Sequence, residues 1–206
     1  VFGELQADKT LATRVLRRLW PSRVAEVTKV CGMRFRAECR LAGKPFGDPF
    51  GVDVVFGEPI VDTPDVITAD DVLGFAGIAP PTVRLYSVET HLAEKVHAYT
   101  LPRTRPNSRV KDLPDIALLA GAKVLEASQL RAAFEQTFTF RKTHDLPASL
   151  PLPSATWERP YAAMARSDDL PWPTLTDVTA VAKSFVDPIL ARSASGTWDQ
   201  AEWRWV

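Results

Sequence analysis

Lys95, Asp112 and Asp115 are the residues whose types and spacing could do chemistry on an anion, and Arg103, Arg105, Arg109 and Lys111 lie between the lysine and the aspartates. These four cations occupy a stretch that contains no acid, and Asp112 follows it at once. An ammonium meets phosphate oxygens as a point charge, a guanidinium as a planar fork. A carboxylate beside them could orient an acceptor or take its proton. Each residue also has a plainer reading. Lys95 could cover the edge of an apolar helix face with its head in water. Asp112, just before Leu113 and Pro114, could simply cap a helix, a contribution of about 1 kcal/mol. Asp115 then falls in that helix's first turn, where the helix dipole favours an acid. His91 and His97 are six positions apart and so point to different faces of a helix, which rules them out as a metal pair. His144 with Asp145 is either an orienting pair or a loop hydrogen bond.

Two helices must position this set. Val88, Leu92, Val96 and Tyr99 recur at helical spacing, with Ser87 as N-cap and Glu89 in the first turn. Glu94 and Lys95 border that stripe. The next helix opens at Asp112, tolerates Pro114 in its first turn, buries Leu113, Ile116, Ala117 and Ala120, and ends at Gly121. Upstream, residues 8–30 read as one or two helices carrying Leu11, Val15 and Leu19. Residues 33–41 alternate apolar and polar side chains, the period of a half-buried strand. Residues 50–56 form a second strand, joined to the first by a longish loop containing Gly43, Pro45, Gly47 and Pro49. Asp53 lies in that second strand, where an acid needs water, a cation or a donor. Residues 57–82 read as connection with a short helix at 70–76, and residues 83–86 as a short strand. Leu130, Ala133, Phe134 and Phe138 mark a further core helix. Residues 147–160 read as a proline-punctuated linker carrying Trp157. A last helix runs from an Asp177 cap to about Leu190, and Trp203 and Trp205 are expected to pack the tail onto the body, as a strand or a staple, in preference to stacking on bases.

The 206 residues suffice for one domain or two small lobes. With 25 basic and 25 acidic residues, net charge points to neither nucleic acid nor membrane. The distribution is uneven: residues 9–44 are rich in arginine, whereas residues 51–80 contain six acids and no Lys or Arg. Cys31 and Cys39 are too few for a disulfide framework, which fits a reduced, cytoplasmic protein. No apolar run approaches the roughly 20 residues of a membrane span. The chain starts at Val1 rather than Met, so an N-terminal portion is expected outside it.

The run His91-Leu-Ala-Glu-Lys95-Val-His97-Ala-Tyr99, followed by Ser108-Arg-Val-Lys-Asp112-Leu-Pro-Asp115, resembles the paired motifs of the AbiEii/AbiGii toxin family. The likeness continues through Thr137-Phe-Thr-Phe-Arg-Lys-Thr-His144. These proteins are nucleotidyltransferases of the DNA polymerase β-like superfamily, toxins of type IV toxin–antitoxin pairs. The resemblance implies an α/β (α+β) chain. Residues 1–86 would be the edge of a small mixed nucleotidyltransferase-like sheet, and residues 87–206 a mainly helical lobe. It implies transfer of a nucleotide from an NTP to an RNA (tRNA) or protein acceptor, Mg²⁺ as cofactor, and a cognate antitoxin as partner. It assigns Lys95 and Asp112 to catalysis and Asp53 to the metal. Lys95, Arg109 and Lys111 would bind the nucleotide, with Glu94 and Asp115 supporting them. One departure stands out: the family's Gly-Ser followed by Asp-x-Asp, which supplies the two principal metal ligands, is not found in this sequence. The alternative is therefore an inactive or truncated nucleotidyltransferase fold that binds nucleic acid or a partner.

Overall fold

The computed structural model describes residues 31–41, 43–56, 63–72, 74–104, 107 and 109–206. The chain divides into two compact units, Val1–Pro59 and Ile60–Val206. The helices expected over residues 8–30 lie outside the described residues.

In the first unit β1 (Cys31–Leu41) and β2 (Lys44–Phe56) pair as an antiparallel hairpin. The alternation over residues 33–41 puts Met33, Phe35 and Ala37 on the half-buried side and Arg34 and Arg36 in solvent. The expected longish loop is instead a tight turn. Leu41 pairs with Lys44, and Gly43 takes φ +78°, a conformation that glycine adopts without a Cβ clash. Pro45 and Pro49 therefore lie inside β2, where a two-stranded ribbon leaves one edge unpaired and a missing N–H costs little. The register slips beside them: Ala37 pairs with Phe50 but Cys39 with Phe46, so a bulge forms on β2. Beyond it Asp53 lies directly across from Arg34.

The second unit begins with a smaller hairpin, β3 (Asp65–Thr68) and β4 (Thr82–Leu85). β4 matches the expected short strand. β3 lies in the stretch read as connection; all four of its residues are exposed, so no alternation of burial marks it. The helix expected at 70–76 shrinks to one 3₁₀ turn, Gly74–Ala76. Five helices follow among the described residues: α1 (Val88–Thr100), α2 (Asp112–Ala120), α3 (Ala127–Arg141), α4 (Glu158–Ser167) and α5 (Leu175–Leu190). None of these helices is long and apolar enough to cross a membrane. Helices and small antiparallel sheets in separate stretches make the chain α+β, the class expected from its sequence.

The apolar stripes fix the packing. Leu92 and Val96 on α1, Leu113, Ile116, Ala117 and Ala120 on α2, and Leu130 and Phe134 on α3 are fully buried. Each large aliphatic contributes about 1.5–3 kcal/mol on burial. α1 packs on α2 and α3, and α2 also packs on α5. Ser87 caps α1, its Oγ accepting the Thr90 N–H at 3.2 Å. Two expectations need correction here. α5 starts at Leu175 under a Thr174 cap, and Asp177 is the reciprocal member of a capping box rather than the cap itself. The linker expected at residues 147–160 ends in a 3₁₀ turn and runs straight into α4, whose first turn accepts Pro160.

The tail closes the unit. β5 (Trp198–Asp199) pairs with β6 (Arg204–Trp205), and the Trp203 and Trp205 indoles donate to the Val181 and Phe185 carbonyls of α5. Both tail tryptophans thus serve packing, as expected. Gly196, just before β5, takes φ +69°, and a Cβ there would lie 2.0 Å from the Val206 carbonyl oxygen. Gly196→Ala is therefore expected to lower stability by about 2–4 kcal/mol, combining left-handed strain with overpacking. Gly121→Ala should cost far less, because its Cβ would sit 3.4 Å from the Leu118 carbonyl oxygen at a negative φ. Denaturant midpoints of the two variants check this; equal midpoints would show that the tail is not held at Gly196.

Candidate active site

Lys95 projects from α1 toward the first turn of α2, the approach set by the buried stripe one face over. There its Nζ bonds Asp115 and comes within 3.7 Å of Asp112 Oδ1. Arg109, in the turn before α2, grips Asp112 with two bonds, Nε to Oδ2 at 2.5 Å and Nη2 to Oδ1 at 3.2 Å. The Asp112 side chain is only 3% exposed, whereas those of Lys95 and Arg109 are 21% and 44% exposed. A buried carboxylate is thus held between two cations that still reach solvent. The hydrogen bond and the charge of Asp112 hold the Arg109 guanidinium above its ordinary pKa.

This overturns the reading of Asp112 as a helix cap. The N-cap position belongs to Lys111, which makes no side-chain cap bond, and Asp112 is the first residue of α2. The charge of Lys95 and the fork of Arg109 outbid the helix N–H groups for the carboxylate, since charge-assisted bonds are about twice as strong as neutral ones. Lys111 itself is exposed. Arg105 lies outside the described residues.

Next to Lys95, Glu94 turns the other way and pairs with Arg141 in the last turn of α3, with Nη2–Oε2 at 2.9 Å and Nε–Oε1 at 3.3 Å. The result is an open groove of ≈ 490 Å³ whose walls include Lys95, Arg103, Arg109 and Arg141, with Glu94 as the acid among its lining residues. Four cations facing one groove can neutralise a polyanion. The sequence reading left Arg141 and Thr143 out of the site. Both stand in the stretch ending at His144, but the ion pair to Glu94 spans two helices, and no local spacing shows it.

Asp53 belongs to the first unit. Both its oxygens are taken by Arg34, Oδ1 at 2.6 Å and Oδ2 at 2.7 Å. Hydrogen bonding from Arg34 holds this carboxylate below its usual range. Magnesium requires several oxygen ligands. Among the described residues no three His, Cys, Asp or Glu side chains converge to hold a metal. The described residues therefore do not assemble a magnesium site, and Asp53 stands as the acid of an exposed ion pair.

His97 lines the groove but is largely buried, edge-on to Phe138 with centroids 5.0 Å apart, and its Nε2 lies 2.7 Å from Thr143 Oγ1. Burial first, then His144 and Arg141, push its pKa down to about 4 from an ordinary 6.5. Burial also lowers His144, which bonds Thr100 and Thr143. Between these values the unfolded chain binds a proton that the folded chain refuses, so stability falls as pH drops from 6.5 toward 4 and levels off below. The expected loss from His97 is about 2–3 kcal/mol. His97→Asn should flatten unfolding midpoints measured across that window; an unchanged slope would show that His97 does not carry it.

No curated protein matches the chain. The family model of the nucleotidyl transferase AbiEii toxin, a type IV toxin–antitoxin system, matches residues 7–182 and so takes in the whole Lys95–Arg109–Arg141 groove. On that match, which spans most of its length, the chain belongs to the AbiEii nucleotidyl transferase toxin family.

Proposed function

We propose that the groove binds the phosphates of a nucleoside triphosphate and that the protein transfers the nucleotide to an RNA acceptor, a tRNA by preference. The observation that carries this reading is the buried Asp112 carboxylate held between Lys95 and Arg109, two cations that line the groove. Lys95 would neutralise triphosphate charge, and Asp112 would hold Lys95 and Arg109 in place and receive the acceptor's proton. Arg109 and the exposed Lys111 would meet phosphates of the nucleotide or the RNA. Asp115 and Glu94 would support them, Asp115 steering Lys95 and Glu94 steering Arg141. A divalent ion, if the family's Mg²⁺ is used, would neutralise phosphate charge. Asp53, in the first unit, would ligate a divalent ion only by giving up Arg34. An antitoxin is the expected protein partner, and the cytoplasm the expected compartment.

A second reading, a binding module without catalysis on the same fold, is favoured by one sequence fact: the Gly-Ser and Asp-x-Asp pattern is not among these residues. Incubation with each α-labelled NTP, Mg²⁺ and total tRNA separates the two. Label on tRNA is expected from at least one NTP. Binding of NTP or tRNA with no label transferred from any of the four would establish the second reading instead.

A further inference from the structure

Thr143 is exposed, yet its hydroxyl is more tightly held than a surface threonine requires. Lys142 ends α3 in the left-handed conformation, φ 51°, and this turn delivers Thr143 to the groove wall beside the end of α1. Its Oγ1 lies 2.7 Å from His97 Nε2 and 3.0 Å from His144 Nδ1. One proton arrangement satisfies the whole network. With the Thr100 hydroxyl proton on the Val96 carbonyl, at 2.9 Å, Thr100 Oγ1 accepts from His144 Nε2, at 2.8 Å. With its proton on Nε2, neutral His144 offers the Nδ1 lone pair, and the Thr143 O–H donates to it. Thr143 Oγ1 is then free to accept the N–H of His97 Nε2. The burial that lowers both imidazoles keeps them neutral near pH 7, as this arrangement requires.

A hydroxyl donating to a base, with the base oriented by a third group, is how a weak alcohol nucleophile is activated, and the His97 N–H fixes where that oxygen sits. The geometry points to Thr143 as an acceptor in its own right, a site of self-nucleotidylation by a nucleoside triphosphate bound in the same groove. The inference rests on the reading of that groove as the triphosphate site. Thr143 Oγ attacks the α-phosphorus and forms the Oγ–Pα bond. The bond from Pα to the bridging β-oxygen breaks, pyrophosphate leaves, and the threonine proton passes to His144 Nδ1. Lys95, Arg109 and Arg141 line the groove and neutralise the phosphates. The product carries a nucleoside monophosphate on the groove wall, where it would hinder entry of the next nucleotide. His144 and His97 act on the reacting oxygen directly; Thr100 is a positioning residue.

The test is to incubate the protein with each α-labelled NTP and Mg²⁺, with and without tRNA, and to locate the label by peptide mass spectrometry. A nucleotide on Thr143 is expected. Thr143→Val should abolish it, Thr143→Ser should retain it, and His144→Asn should slow it by about 10²-fold, the usual worth of a general base. Denaturant midpoints matching the parent protein show that each variant is folded. Label that persists in Thr143→Val overturns the inference. Labelled tRNA with unlabelled Thr143 overturns it while leaving the proposed function standing. If neither tRNA nor protein takes label, both fail.

Discussion

Lys95→Ala is expected to lower nucleotide transfer by about 10²–10³-fold, the usual effect of deleting one positioned charge from a phosphoryl-transfer site. The loss should fall mostly on kcat, because charge on the transferring group grows in the transition state. Stability should also drop, by about 1–2 kcal/mol. The buried Asp112 carboxylate loses one of its two cations but keeps Arg109, so it is weakened rather than stranded. Turnover and denaturant midpoints measured on the same preparation separate the two effects. A Lys95→Ala protein with parental turnover would reduce the lysine to a covering side chain on α1.

Asp112→Asn is expected to be nearly as damaging, again about 10²–10³-fold in turnover, with a stability loss of about 1–3 kcal/mol. Asparagine keeps the shape and one acceptor oxygen, so Arg109 retains a bond. It cannot take a proton, and it leaves Lys95 and Arg109 facing each other without the charge between them. Asp112→Ser sharpens the point. Serine is a good helix cap, but position 112 is the first helical residue and the N-cap is Lys111, so serine should rescue neither stability nor turnover. Restored stability in the serine variant would mean that capping, and not the ion pairs, is the structural duty of Asp112.

The contrast between the cap reading and the ion-pair reading shows what the sequence carries. An aspartate before Leu-Pro looks the same whether it sits just before a helix or on its first residue. Lys95, on another helix, decides the matter, and local spacing contains no trace of that choice. Glu94 and Arg141 are the same case. The faces that position them were legible, because Leu92 and Val96 or Leu113 and Ile116 repeat at 3.6 residues and burial enforces that period. β1 was legible from its alternation. β3 was not, because Asp65–Thr68 is short and wholly exposed. α4 was hidden by prolines that read as a linker, although a first-turn proline such as Pro160 sacrifices no helical hydrogen bond. The hairpin turn was misplaced because Pro45 and Pro49 looked like loop residues, whereas an unpaired strand edge accepts them.

The central claim is that Lys95 and Arg109, set by Asp112, hold a triphosphate in the groove beside α1. Equilibrium titration of the protein with a non-hydrolysable NTP, at fixed salt, tests it most directly. Lys95→Ala and Arg109→Ala should each raise Kd by about tenfold or more, a change of about 1.4 kcal/mol. Arg192→Ala, which breaks an exposed ion pair with Glu135 and does not line the groove, should leave Kd unchanged. Affinity that is equal across all three variants and the parent protein would contradict the account and place the nucleotide elsewhere.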